Sequence, residues 1–200
     1  HMLDTVRWLL DLGWPTSVFS QGGIYVQKEG KSTISDTQTA VFNFGELICT
    51  WQHRTWGSPA DPDYPWSFKI YGEKGVLKGD VYKYEFVPRD KNAKTIKGTA
   101  LYEKEKYPED AEEDRMEHHA APATRRQMLN FLEAIDKGKR PVADIEQGHI
   151  STASCIAANI SMDLGGEVLK YNPEKKKFED NRAANKLLRR DYRKGWKHPF

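Results

Sequence analysis

The chain has 200 residues, 38% of them apolar by type and 12% aromatic, which is enough for a single domain, residues 1–200, with a core of its own. Its 31 basic and 29 acidic side chains leave a formal charge of +2, and no basic stripe is long enough to follow a phosphate backbone, which argues against a nucleic-acid partner. No run approaches the roughly 20 apolar residues of a membrane span, and no charged leader with an apolar segment opens the chain. A soluble protein is expected, with cytoplasm and periplasm both open.

The elements follow in chain order. Met2, Val6, Leu9 and Leu10 share one stripe of a helix that Gly13 and Pro15 stop, and its first turn carries His1 and Asp4. A chain without an initiator Met that already begins in a helix reads as a fragment or processed product. The period then changes to two. One strand is expected from Ser17 to Gln27 and another, beyond a turn-rich stretch, through Phe44. Phe44-Gly45-Glu46-Leu47 predicts a tight hairpin, and the returning strand has Leu47, Cys49, Trp51 and His53 on one face and Ile48, Thr50, Gln52 and Arg54 on the other. Both faces are partly apolar, as befits a sheet covered by helices on one side and by a partner on the other.

The proline-rich GSPADPDYPW is a loop with aromatic ends, followed by a hairpin around Gly72–Gly75 and a strand from Val81 to Val87. Lys91 to Asp114, rich in Lys and Glu, reads as a mobile or solvent-facing excursion. Helices take over at Pro122. Met128, Phe131, Leu132 and Ile135 fall at i, i+3, i+4 and i+7 of a helix that Gly138 caps, and Asp144 with Gln147 opens a second helix. That helix is expected to bury Ala153, Ile156, Ala157, Ile160 and Leu164. Val168 to Tyr171 is a short strand, and Asp180 caps a last helix. This order predicts an α+β fold: a large, predominantly antiparallel open sheet with helices packed on one face. Cys49 and Cys155 sit at core-like positions and are expected to be buried free thiols.

The segments HMLDTVRWLL, SDTQTAVFNF, KIYGEKGVL, NFLEAIDKGKRPVADIEQGH and ANKLLRRDYRKGW, in this order and spacing, resemble the C-terminal domain of the Gfo/Idh/MocA oxidoreductases, the glucose-fructose oxidoreductase and inositol dehydrogenase-like family, in its bacterial form. The resemblance runs over nearly the whole chain. It implies a parent enzyme in which an N-terminal Rossmann domain binds NAD or NADP while this sheet domain contacts the substrate and builds a homo-oligomer through the sheet. It also implies that His1 is the catalytic histidine, with Asp4 the acid three positions on. A His-Met pair can also be left by a cloning site, but the match continues unbroken through Trp8 and Leu10.

No G-x-G-x-x-G opens a helix after a strand, so no NAD or NADP is expected to bind this chain alone. Oxidising a sugar or polyol hydroxyl needs a proton acceptor near neutrality, and an imidazole with a reference pKa of about 6.5 qualifies. At i and i+3 of a first helical turn, Asp4 can fix the His1 ring, although an acid there also stabilises a helix start without any catalytic duty. Tyr25, Trp51, His53, Arg54 and Trp56 are the candidate contacts for a carbohydrate-like small molecule; taken singly, Trp51 also reads as core and Arg54 as a solvated edge residue.

His118 and His119 lie among Glu112, Glu113, Asp114 and Glu117, but adjacent histidines point apart in regular structure, and no metal site is expected. His149 reads as structural and His198 as a tail residue. Two other classes compete with the oxidoreductase reading: a stand-alone binding or assembly module, and a metal-assisted lyase or hydrolase around His53, His118 and His119.

Overall fold

A computed structural model of the chain describes residues 1–112, 120–189 and 191–197. Helix α1 (Met2–Leu9) precedes seven strands, β1 (Ser17–Gly23), β2 (Thr37–Asn43), β3 (Ile48–Arg54), β4 (Phe68–Gly72), β5 (Gly75–Gly79), β6 (Lys83–Pro88) and β7 (Ile96–Thr99). Helices α2 (Ala120–Asp136) and α3 (Ile145–Asp163) follow, then the short pair β8 (Tyr171–Asn172) and β9 (Lys177–Phe178), and α4 (Arg182–Leu187). The fold is α+β, as expected, and the named strands pair antiparallel in open sheets of order β1-β2-β3, β4-β5-β6-β7 and β8-β9. Two compact units result: Leu3–Gly57 with the chain from His149 onward, and His1–Met2 with Ser58–Gly148.

In the first of these, β2 is the central strand, and its alternation turns Gln38, Ala40 and Phe42 inward while Thr37, Thr39 and Val41 face away. Ala40 and Phe42 pack with Val18, Leu169 and the α3 residues Ala157 and Ile160. The β2–β3 hairpin closes at Phe44–Leu47 as the sequence predicts, with the Phe44 N–H donating to the Leu47 carbonyl (2.8 Å). Gly45 sits at φ +89°, a region costly for any side chain. Cys49 and Trp51 pack against the core, and burial pushes the Cys49 thiol up.

The buried faces of the helices differ from the aliphatic stripes read in the sequence. On α3 the buried line runs through Ile150, Ser151, Ser154, Ala157, Ala158, Ile160 and Ser161, while Ile156 and Cys155 are exposed, so Cys155 is not the buried thiol expected. Hydroxyls explain the rotation. Ser154 donates to the Ile150 carbonyl (2.7 Å), and Ser161 accepts from the Ser20 N–H (2.8 Å) and donates to the Glu167 carbonyl (2.6 Å), so small polar residues can enter the seam with their partners satisfied. On α1 the buried side chains are Leu3, Val6 and Arg7, whereas Leu9 is exposed. The Arg7 guanidinium, 2% exposed, donates to the Gly13 carbonyl (3.1 Å) and to Ser151 Oγ (2.5 Å), which makes its burial tolerable. At the far end Asn181, not Asp180, caps α4 by accepting from the Ala184 N–H (2.8 Å).

In the second unit the four-stranded sheet has two unlike faces. Lys69, Lys78, Glu85 and Lys97 lie opposite one another across β4 to β7, and the loop before β4 packs on this charged row. Asp61 pairs with Lys69 (3.0 Å) and Lys78 (3.7 Å), and the buried Tyr64 ring lies under the Lys78 and Lys83 ammonium groups (4.5 and 4.7 Å). The next row, Ile70, Leu77, Phe86 and Ile96, points the other way, and all four remain partly or fully accessible.

The Lys-rich stretch is largely solvent-facing, as expected, but it carries defined elements; Glu113 and Asp114 lie outside the described residues. Ile96–Thr99 pairs with β6, and a 3-10 turn at Pro108–Ala111 holds Asp110 in a two-pronged pair with Arg125 (3.0 and 2.6 Å), whose guanidinium lies 3.7 Å from the Tyr107 ring centre. Helix α2 ends at Gly138 with φ +59°, as predicted, but its apolar stripe of Met128, Phe131, Leu132 and Ile135 is exposed; Pro122 and Ala134 are its buried residues. Apolar spacing marks a face that favours cover without naming what provides it.

Candidate functional site

His1 stands at the start of α1 in the unit that holds the proline-rich loop. Its imidazole meets the Trp66 ring edge to face, with centroids 5.9 Å apart and planes at 77°. Asp4 belongs to the other unit, where Ser151 Oγ donates to its Oδ1 (2.5 Å) and Arg7 Nη1 lies 4.0 Å away. The Ser151 hydroxyl therefore accepts from a guanidinium and donates to a carboxylate, a charge-assisted relay that holds Asp4 on its helix.

The five other candidates fall on two faces of the β1-β2-β3 sheet. Trp51 and His53 are on the core-facing side of β3, stacked at 5.7 Å with a 10° tilt. Arg54 and Trp56 are together, the guanidinium 5.7 Å from the indole centre, and the Trp56 Nε1–H donates to Thr37 Oγ1 (2.8 Å) on the outward-facing side of β2. Tyr25 joins this second group through a residue that the sequence reading passed over.

That residue is Asp36, only 3% exposed. Its Oδ1 accepts from the Tyr25 N–H (3.0 Å) and from the Thr37 hydroxyl (2.8 Å), while its Oδ2 accepts from the Val26 and Gln27 N–H groups (2.8 Å each). These donors end β1 at Gly23 rather than Gln27, because they turn the chain's amides onto a carboxylate instead of a neighbouring strand. Burial alone would raise the pKa of Asp36. The three backbone donors and the Thr37 hydroxyl outweigh it and hold the carboxyl well below its usual range. The available signal was an acid at the edge of a strand after a turn-rich stretch; it has no period, so hydrophobic patterning misses it.

Asp144 accepts from the Glu146 and Gln147 N–H groups (2.7 and 3.2 Å), the cap expected for α3. His149 lies edge-on to Trp14 at 5.5 Å. No three His, Cys, Asp or Glu side chains converge on a metal position among the described residues; His118, His119 and His198 lie outside them.

Two glycine pairs of the sequence lie in turns rather than at a helix N-terminus. Gly72 and Gly75 close a β-hairpin, and Gly165-Gly166 follow the C-terminal end of α3, where a helix dipole repels a pyrophosphate instead of holding it. No helix among the described residues is long and apolar enough to cross a membrane.

The profile described as "Oxidoreductase family, C-terminal alpha/beta domain" of the Gfo/Idh/MocA group matches residues 1–168. The chain is a member of this oxidoreductase family. No curated protein matches the sequence. Among solved structures, the family domain is similar to a protein described as an oxidoreductase from Klebsiella pneumoniae, with 15% identity and a TM-score of 0.51 over 94% of this chain and 51% of that one. It is also similar to the myo-inositol dehydrogenase of Lactobacillus casei in complex with NAD(H) and myo-inositol, with 19% identity and a TM-score of 0.50 over 85% of this chain and 45% of that one. The yvaA oxidoreductase of Bacillus subtilis gives 12% identity and a TM-score of 0.50 over 86% and 49%. At these identities the likeness concerns the fold. The Gfo/Idh/MocA chain described here spans about half the length of these structures.

Proposed function

We propose that these residues are the substrate-binding and oligomerisation domain of an NAD- or NADP-dependent oxidoreductase acting on a sugar or polyol hydroxyl. The observation that carries the proposal is the family match, which takes in His1 at the start of α1. His1 accepts the hydroxyl proton, and an imidazole has the basicity for that task near neutral pH. Asp4, fixed by Ser151 and Arg7, is the acid that accompanies it in the family pattern.

Within their own unit, Tyr25, Arg54 and Trp56, which Asp36 and Thr37 tie into one corner, are the group with the chemistry for carbohydrate contacts; Trp51 stays with the core and carries His53 on its face. The nicotinamide cofactor belongs to the parent enzyme's nucleotide-binding domain, a reading supported by the family match and by the NAD(H) bound in the similar myo-inositol dehydrogenase. The accessible row of Ile70, Leu77, Phe86 and Ile96 is the surface through which copies of the chain associate.

Turnover by the whole protein tests the reading. His1→Asn is expected to lower kcat by about 100-fold or more while leaving the polyol KM nearly unchanged, because the loss falls on proton transfer. A His1→Asn enzyme working at the wild-type rate overturns the assignment.

A further inference from the structure

The loop between β3 and β4 is braced more firmly than a connection requires. Asp61 pairs with Lys69 and Lys78, the Tyr64 N–H donates to the Asp61 carbonyl (3.0 Å), and the Ser67 hydroxyl donates to the Tyr64 carbonyl (2.9 Å). Tyr64 itself is buried beneath two ammonium groups. Between these anchors, directly after Pro65, Trp66 is left 52% exposed. An indole is the largest apolar side chain, and half of it in water on a pinned loop forgoes burial that a flexible loop would recover.

Its neighbour explains the arrangement. The Trp66 and His1 rings stand almost perpendicular at 5.9 Å, so they form two walls of a corner. A polyol ring laid with its C–H face on the indole has its equatorial hydroxyls directed outward around the rim, which brings one of them to the imidazole wall.

We infer that Trp66 is a substrate-positioning residue: the platform on which the polyol ring is held while His1 accepts the proton of one hydroxyl. The inference rests on the function proposed above and adds to it a residue that binds the ring without taking part in proton transfer. Tyr64 and Asp61 act through Trp66 by fixing its loop. Because the platform is assigned to the polyol ring and not to the cofactor, its loss is expected to weaken polyol binding and leave cofactor binding alone.

The test uses the whole protein with NAD and NADP and a panel of myo-inositol, scyllo-inositol, D-glucose and D-xylose. For the panel member that the wild type oxidises, Trp66→Leu, which keeps an apolar side chain but has no aromatic face, is expected to raise KM about tenfold. Trp66→Phe is expected to stay within about threefold of wild type, and both variants are expected to keep the wild-type kcat and cofactor KM. A thermal melt checks that each variant folds, which an exposed position favours. Turnover that Trp66→Leu leaves at the wild-type KM overturns the inference alone. Absence of turnover by the wild type on the whole panel overturns the proposed function, and the inference with it.

Discussion

The two units solve the same problem differently. The one built on β1, β2 and β3 encloses Val18, Ala40, Phe42 and Leu169 between sheet and helix, and its buried polar groups, Arg7, Ser20, Gln38 and Ser161, are each hydrogen-bonded. The one built on β4 to β7 has Tyr64, Pro122 and Ala134 as its buried apolar side chains among the described residues, and it relies on ion pairs and ammonium–ring contacts across one face. Its other sheet face and the outer stripe of α2 remain accessible. One unit closes a core of its own between sheet and helix; the other leaves an apolar sheet row and a helix stripe accessible.

The largest test of that contrast is to empty the two cores. Phe42→Ala is expected to cost about 3–5 kcal/mol in denaturant unfolding, the usual range for a buried Phe. Phe86→Ala is expected to cost less than half as much in the dissociated chain. In sedimentation the unsubstituted chain is expected to self-associate at tens of micromolar, and Phe86→Glu to return it to monomer. Equal losses for the two alanine variants would erase the contrast.

Acid gives a smaller effect with a defined sign. An unfolded aspartate titrates near about 3.9, and folded Asp36 titrates below it. Its stabilisation is therefore complete above about pH 4 and is lost as pH falls further towards the folded value. Asp36→Asn is expected to lower the Tm at pH 6 by several degrees, roughly 4 °C or more, and to narrow the difference between wild type and variant at pH 3. A constant difference across that window would mean that the carboxylate's charge is not what matters.

The smallest effect is expected on the charged face. Lys69 and Asp61 are only partly shielded from water, so Lys69→Ala is expected to cost no more than about 1 kcal/mol, and less in high salt. A larger, salt-independent loss in chemical unfolding would show that the loop carries more of the unit's stability than an accessible ion pair can.

Local chemistry was readable in the sequence because it acts over a few residues. Gly45 in the hairpin, Gly138 after α2 and Asp144 before α3 all act where their spacing puts them. Helix faces were harder to read. The aliphatic pattern of α3 points to Ile156, yet the buried line runs through serines, because each hydroxyl finds a partner, Ser154 within its own helix and Ser151 and Ser161 on segments far away in the chain. Arg7 shows the same on α1, where a charged residue takes an interior position that Leu9 would have been expected to fill. Of the candidate site, His1 and Asp4 are proposed from motif resemblance and the aromatic cluster from residue type alone. The division of that cluster between two sheet faces, the neighbourly placing of Trp66 beside His1, and the role of Asp36 depend on contacts between distant segments and could not be read in this way.

Asp36 also bears on any effort to retune what the protein accepts. A single carboxylate ties the turn bearing Tyr25 to Thr37, and Thr37 in turn receives the indole of Trp56. Under the proposed function, libraries that vary Tyr25, Arg54 and Trp56 while leaving Asp36 and Thr37 untouched are expected to sample new specificities on an intact mount, whereas randomising the mount would disturb every contact it supports at once.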